Sequence, residues 1–192
     1  MRLLAQPRRA VRGLTLVELS VVLVVLLVAV SIYSNTLAAT ARQRVMQRES
    51  SIAAEAARTT LERMLNTPFR QRYALFNADP RDDPGGAGSA PGSRFAVAGL
   101  PLVAGTPGGM AGEIRFPVLN VGTSVAPAWE LREDVDDPAL SMPRDLNSNF
   151  RVDALNHAGD YTRLPVEVVV EWQGRVGRQR YRLISLMVEI RR

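Results

Sequence analysis

The chain has 192 residues, 46% of them hydrophobic, which is enough for one modest globular domain beside a membrane anchor. Its single histidine and its lack of cysteine exclude disulfides, thiolate metal sites and a cluster of histidine ligands. All 24 basic residues are arginines, and four of them precede Gly13. Without those four, the chain has 20 arginines and 19 acidic residues, a net charge of +1. No basic surface for nucleic acid is therefore expected.

The chain begins with a basic segment that is followed by an apolar one. Residues 1–13 contain four arginines and no acidic residue, and the run from Leu14 to Val30 contains only three polar residues. Apolar character continues more weakly to Ala39, so residues 14–39 are predicted to form a helix that can cross a bilayer core of roughly 30 Å. Because the basic leader precedes this helix, we expect a single-pass protein with a cytoplasmic amino end and an exported remainder.

Two ordinary interpretations of this apolar segment are open. A cleaved secretory signal also has a basic start, and Ala39-Thr40-Ala41 has the small-x-small form that signal peptidase prefers. That site lies about ten residues beyond Val30, and the apolar run contains the charged Glu18, which such signals lack. An unprocessed signal anchor explains the hydrophobicity and the orientation, but it leaves Glu18 unexplained.

Glu18 is the residue that separates these interpretations. A carboxylate in the hydrocarbon region costs about 2.5–3.5 kcal/mol on insertion scales, so it indicates a functional site by default. From Gly13 to Leu19 the chain reads GLTLVEL. With the basic leader before it, this run closely resembles the class III signal of type IV prepilins: a Gly, an apolar residue, Thr, two apolar residues, Glu and Leu.

The resemblance to prepilins implies how the segment is used. In that family the prepilin peptidase cuts after the Gly, here Gly13, and N-methylates the new first residue, here Leu14, where most members have Phe. The family's Glu corresponds to Glu18, which would pair with the amino terminus of a neighbouring subunit as a filament grows. A buried carboxylate and a buried ammonium are each strongly desolvated, so pairing them favours one register of subunit docking.

The same resemblance implies a function, a location and partners. We expect a structural and assembly subunit, a minor pilin or pseudopilin, of a type IV pilus or a type II secretion pseudopilus. It would insert in the bacterial inner membrane before it joins the filament. Its partners would be the prepilin peptidase, other pilin or pseudopilin subunits and inner-membrane lipid, with no nucleic acid bound directly. Whether the machine serves a pilus, secretion or DNA uptake stays open, because all three share this N-terminal chemistry.

Residues 40–67 are predicted to continue the helix as an amphipathic segment. They are rich in helix formers, and neither Pro nor Gly occurs before Pro68. We expect the helix to end near Asn66, because a residue that precedes Thr67-Pro68 is poorly placed for helical geometry. A coiled-coil stalk is the alternative, but its heptads are not sustained. The spacing of the apolar residues predicts one buried face: Met46, Ala53, Ala57, Leu61 and Met64.

Residues 68–192 are predicted to form the exported domain. Phe69–Asn77 can add another helical turn, and residues 79–112, which are rich in Pro, Gly, Ala and Ser, are predicted to be an irregular loop. Short strands are predicted within and after this loop at Phe95–Ala98, Glu113–Leu119 and Ala128–Arg132.

The clearest strands form a predicted antiparallel hairpin over residues 164–190. Its strands are Pro165–Trp172 and Gln179–Ile190, with a turn at Gln173–Gly177. The first strand alternates with a period of two, so we expect it to be buried on one face only. The face expected to be open carries Glu167, Val169 and Glu171. Packing the amphipathic half of the helix on this sheet gives an α+β fold, and the resemblance implies that it is pilin-like.

The acidic run 133–137 is the weak candidate for a metal site. Asp134, Asp136 and Asp137 could offer oxygen ligands to Ca²⁺, but the spacing and the Gly of an EF-hand loop are missing. A solvated loop without metal is therefore favoured. Trp129 and Trp172 could face a partner, but on alternating strands they are expected in the core.

The sequence gives no reason to expect catalysis. We find no nucleophile elbow, phosphate-binding loop or pair of metal ligands, so we expect neither an enzyme nor a cofactor. The alternative to an assembly subunit is a membrane-anchored exported binding module that does not polymerise. Processing after Gly13 separates these two functions.

Overall fold

The structure, a computed structural model, describes residues 15–123 and 127–190. The chain divides into two compact units, Met1–Arg44 and Val45–Arg192, which are described separately. Helix α1, Leu16–Leu65, has residues in both units.

In the first unit, the described residues are Thr15 and the part of α1 from Leu16 to Arg44, which is apolar over most of its length. Every side chain from 15 to 44 is exposed, and by length and composition this helix can cross a membrane, a test that a signal sequence near the amino terminus would also pass. The hydroxyl groups of Ser20, Thr36 and Thr40 each donate to the carbonyl oxygen four residues earlier, at 2.9 Å. These hydroxyls are therefore hydrogen-bonded within the helix and can be tolerated in an apolar surrounding.

In the second unit, α1 packs one face on the core. Ala53, Ala57 and Met64 are fully buried, as the spacing predicted, and Leu61 is half-buried. Met46 was wrongly placed on this face, because it is 38% exposed. Thr60 takes part in the buried face instead, because its hydroxyl donates to the carbonyl of Ala56 at 2.9 Å and so needs no water.

The end of α1 follows the proline signal. The helix stops at Leu65, and Pro68 precedes a 3₁₀ turn at Phe69–Gln71 that leads into helix α2, Arg72–Phe76. The prediction of a further helical turn between Phe69 and Asn77 is thus confirmed.

Six strands form two antiparallel sheets among the described residues. A four-stranded sheet has the order β1-β2-β5-β6, and a two-stranded sheet pairs β3 with β4. The strands are β1 Arg94–Phe95, β2 Gly112–Arg115, β3 Val118–Asn120, β4 Trp129–Leu131, β5 Arg163–Gly174 and β6 Gly177–Val188.

The predicted strand Glu113–Leu119 is in fact two strands in different sheets. Between β2 and β3 lie Phe116 and Pro117, and proline cannot donate a ladder hydrogen bond, so the chain leaves the first sheet there. The predicted hairpin is confirmed. Its strands run further into the turn than expected and leave only Arg175 and Val176 between them.

Strand β5 is buried on both faces over most of its length, which corrects the expectation of one open face. Glu167 is 2% exposed and Val169 is 1% exposed. The Glu167 carboxylate pairs with Arg182 of β6, and the 3₁₀ turn Pro138–Leu140 contacts β5. On that face only the ends of the strand are open to solvent: Arg163 and Glu171 are half-buried, and Gln173 is exposed.

Hydrogen bonds at both ends hold β5 alongside the second-unit part of α1 and the turn that follows it. The indole Nε1 of Trp172 donates to Glu49 Oε2 at 3.0 Å. Just before the other end of the strand begins, Tyr161 Oη donates to the carbonyl of Phe69 at 2.7 Å. Valine side chains of β5 then meet the small alanines of the helix in one hydrophobic core. The fold is α+β, with a long N-terminal helix packed on an antiparallel sheet, as predicted.

Candidate functional site

The first turn of α1 holds the most specific part of the sequence pattern. Thr15 precedes the helix, and Glu18 is its third residue. The backbone N–H and the hydroxyl of Thr15 both donate to Glu18 Oε2, each at 3.1 Å. The N–H of Glu18 approaches Thr15 Oγ1 at 3.3 Å in return. This reciprocal arrangement is a capping box, which satisfies N–H groups that have no partner inside the helix.

The capping box gives Glu18 a local role that sequence reasoning missed. The signal was visible, because Thr15-Leu16-Val17-Glu18 has the Thr-x-x-Glu pattern of such a box just before an apolar run. A carboxylate in the first turn also interacts favourably with the positive end of the helix dipole. Oε2 accepts both bonds from Thr15, and no protein group donates to Oε1 within the described part of α1.

The predicted cleavage and methylation positions lie outside the described residues. Gly13 and Leu14 directly precede Thr15, so they stay sequence predictions. Only Glu18, among the predicted site residues of this segment, is described, and it is exposed.

In the acidic run after β4, the three aspartates that were candidates for a metal site have separate surroundings. Asp134 forms an ion pair with Arg132, with 2.7 Å between Nη2 and Oδ2. Asp137 accepts from the N–H groups of Ala139 and Leu140 and so caps the 3₁₀ turn Pro138–Leu140. Asp136 is exposed. The placement of these three weak candidates therefore gives no support to a calcium site.

Glu133, at the start of the same run, is fully buried, so the expectation of a solvated loop is wrong for this residue. Its Oε1 accepts from the N–H groups of Leu146 and Asn147, at 2.6 and 3.3 Å, and its Oε2 accepts from that of Asp153 at 3.2 Å. A buried carboxylate is tolerable when several N–H groups donate to it. Glu133 thus fixes the long connection between β4 and β5 from within.

His157 lies beside this carboxylate and has an acidic partner at each ring nitrogen. Nδ1 is 3.0 Å from Asp160 Oδ1, and Nε2 is 3.1 Å from Asp153 Oδ1 and 3.7 Å from Glu133 Oε2. Burial lowers the pKa of His157, but the hydrogen bonds that the ring donates to Asp160 and Asp153, together with the charge of Glu133, outweigh that effect, so the pKa lies above its ordinary value. The imidazolium form can donate at both nitrogens, whereas the neutral ring can donate at only one.

Glu133, Asp153 and His157 could in principle hold a metal, since their ligand atoms lie within 4.8 Å of one another. Both oxygens of Glu133 already accept backbone N–H groups, whose positive ends would oppose a cation. Those bonds instead satisfy the carboxylate without any ion. We assign the cluster a structural role in the connection. Sequence reasoning missed it because its members are twenty or more residues apart along the chain from Glu133.

The two tryptophans differ in their surroundings. Trp172 is buried in the core, as predicted, and its indole N–H is bound by Glu49. Trp129 is only half-buried, on β4, and lines a cavity.

The described residues define a class of protein. It is an α+β protein whose N-terminal helix is apolar and long enough to cross a membrane in its first part and packs on an antiparallel sheet in its second. This architecture is compatible with a pilin-like fold. Comparisons of the chain with protein-family models, with curated proteins and with solved structures find no match.

Proposed function

We propose that the chain is a type IV pilin-like subunit, a minor pilin or pseudopilin of a pilus or a type II secretion pseudopilus. The observation that carries the proposal is the run Gly13–Leu19 at the start of α1, with its Thr and Glu at the prepilin spacing. The architecture adds support, because an apolar helix that continues into an amphipathic half on a sheet suits a subunit that is first anchored and later polymerised.

The chemistry of Glu18 fits this use. In a bilayer its carboxylate needs compensation, and the capping box supplies only the two donors of Thr15. The amino terminus created by a cut after Gly13 is a cation, and that of a neighbouring subunit can bind Oε1. This ion pair would stabilise one docking register between neighbouring subunits, and a regular filament requires a single register. Glu18 is in this view an assembly residue and the protein is not an enzyme.

Mass spectrometry of the amino terminus of the native protein tests the proposal. The expected result is a chain that begins at N-methyl-Leu14, purified from inner membrane or from filaments. A chain that begins at Arg42 would identify an ordinary secreted protein cut after Ala41. An intact amino terminus would identify an unprocessed anchor, and either result would overturn the proposal.

A further inference from the structure

The turn between β5 and β6 carries two large side chains that its geometry does not require. Arg175 and Val176 are the two residues of the turn, both are exposed, and Val176 is 70% exposed. Tight hairpin turns favour small residues where the backbone takes a positive φ. Here Gly177 takes it, at 119°, directly after the turn. The turn therefore places no demand on the arginine and the valine before it.

Positive charge is concentrated around this turn. Arg175 has no hydrogen-bond or ion-pair partner in the described part of the chain, while Arg178 and Arg180 share one carboxylate, that of Glu171. Glu49, the other carboxylate nearby, is half-buried and accepts from an indole N–H. Even with both carboxylates counted, the arginines outnumber them by three to two.

Apolar surface lies next to these arginines. A cavity of about 290 Å³ separates the turn from the first residues of α1 in the second unit, and its lining combines Val176 and Met46 with Arg175 and Arg180. Met46 is 38% exposed. Apolar side chains beside cationic ones suit the boundary between lipid phosphates and acyl chains. The hairpin-turn surface is defined by five side chains: Met46, Arg175, Val176, Arg178 and Arg180.

The length of the chain limits how far this surface can lie from a bilayer. Residues 14–39 are the predicted membrane-spanning part, and Met46 follows Ala39 by seven residues. Seven residues reach at most about 25 Å when fully extended. Such a short tether keeps the local concentration of lipid headgroups at the surface high, so that weak contacts are enough for docking.

We propose that the hairpin-turn surface docks on an anionic phospholipid bilayer, with lipid phosphates at its guanidinium groups and Val176 in the headgroup layer. Guanidinium groups bind phosphate through paired hydrogen bonds. Each basic residue close to an anionic bilayer strengthens binding by about fivefold. An acidic protein could also match the charge, but only the bilayer is tethered beside the surface at all times.

The proposal rests on one part of the proposed function, the anchoring of residues 14–39 in a membrane. It requires neither the cut after Gly13 nor entry into a filament. The full, uncut chain is therefore the right material for a test, and the outcome does not depend on processing.

Fluorescence of the labelled full chain in lipid nanodiscs tests the proposal. The chain has no cysteine, so Gln173→Cys, an exposed position beside the turn, provides a single site for a nitrobenzoxadiazole label. The discs contain phosphatidylcholine with a nitroxide on its headgroup, which quenches a label close to it, and they are made with or without phosphatidylglycerol. We expect strong quenching only with phosphatidylglycerol, and we expect concentrated salt to abolish it.

Matched variants assign the docking to the turn. Arg175→Gln should lower the ratio of docked to undocked protein about fivefold, and Val176→Ser should lower it by a similar factor. Arg151→Gln is the control, because Arg151 is also exposed but lies in the connection that enters β5 at its opposite end. A label at Leu155→Cys, 66% exposed in the same connection, should not be quenched.

Three results would overturn the proposal. Equally weak quenching in both kinds of disc would show that the hairpin-turn surface stays in solvent. Equal loss of quenching in Arg175→Gln and Arg151→Gln would assign the attraction to the overall charge of the protein. Failure of the chain to enter the discs, judged by size-exclusion chromatography, would contradict the membrane anchor and with it the proposed function as well. Normal insertion without docking would contradict this proposal alone.

Discussion

Glu18 stands at a position where two separate effects are combined in one carboxylate. Through Oε2 it holds Thr15 and caps α1, and its negative charge is available to a cation near the helix start. Both effects would be lost in Glu18→Ala, so that variant cannot distinguish assembly from helix capping. Glutamine can take the place of glutamate in a capping box, because its side-chain oxygen also accepts from the N-cap N–H.

We predict that Glu18→Gln is inserted and processed normally but enters filaments poorly. Removing one partner of a buried ion pair costs about 3–5 kcal/mol, so incorporation should fall by about a hundredfold or more. The measurement is the amount of the variant that co-purifies with the assembled filament, relative to the amount in the membrane.

Thr15→Val is the matched control for this prediction. It removes the capping hydroxyl, at a cost of about 1 kcal/mol to the helix start, but keeps the charge of Glu18. We expect near-normal incorporation. If Glu18→Gln entered filaments as well as the unmodified protein does, Glu18 would be only a capping residue. The same would follow if both variants entered filaments equally poorly.

At the scale of elements, the connection between β4 and β5 places the ring of His157 among three carboxylates. Because the folded pKa lies above the ordinary value near 6.5, the folded state binds this proton more tightly than the unfolded state does. The stabilisation is therefore complete below about pH 6.5 and is lost as the pH rises through the folded pKa. Asp153, Asp160 and Glu133 are the acidic groups that face the ring.

We predict that the melting temperature of the second unit falls as the pH rises above about 6.5, by about 2–4 °C for each kcal/mol lost. Near-UV circular dichroism of the full chain in detergent, recorded through a series of pH values, measures it. In His157→Gln the protein should be less stable at low pH, and the decline above neutrality should be absent. A wild-type profile that matches the variant's would show that the imidazolium contributes nothing.

Sequence patterns predicted the elements that have strong local signals. The proline after Thr67 ended α1, and the alternation after Leu164 gave the hairpin. Burial was less predictable, because it depends on residues that are distant in sequence. Glu167 resembles a solvated strand residue, yet it is buried: Arg182 pairs with its carboxylate, and the turn Pro138–Leu140 contacts its strand. Such cover cannot be inferred from a period of two.

The same limit applies to the candidate sites. The Thr-x-x-Glu box was readable, because its partners are three residues apart. The hairpin-turn surface was not, since Met46 of α1 contributes to it and only the folded chain brings that residue to the turn. The acidic run illustrates both cases. The negative charge of the run is evident in the sequence. The burial of Glu133 is not, because it depends on backbone N–H groups of residues 146, 147 and 153 that donate to its carboxylate.

At the scale of the whole molecule, the segment before Leu14 determines the charge. The full chain has a net charge of +5, from 24 arginines and 19 acidic residues. Removing residues 1–13 takes away four arginines and leaves 20 against 19, or +1. A cut after Ala41 would also remove Glu18, which leaves 20 against 18, or +2. Charge therefore separates processed from unprocessed protein, and mass separates the two cuts.

We predict that Gly13→Val accumulates as a basic precursor in cells that contain the prepilin peptidase, whereas the unmodified chain becomes nearly neutral. The branched side chain would replace the glycine at the bond that the peptidase must accommodate. Isoelectric focusing of the membrane fraction should show Gly13→Val near the precursor's isoelectric point of about 10.6 and the mature chain far below it. Mass spectrometry should show that the variant is heavier by the thirteen residues before Leu14. Cells without the peptidase supply the control, because there both proteins should focus together. If the unmodified chain stayed basic in cells with the peptidase, residues 1–13 would be part of the working protein, and pairing of Glu18 with a new amino terminus would lose its basis.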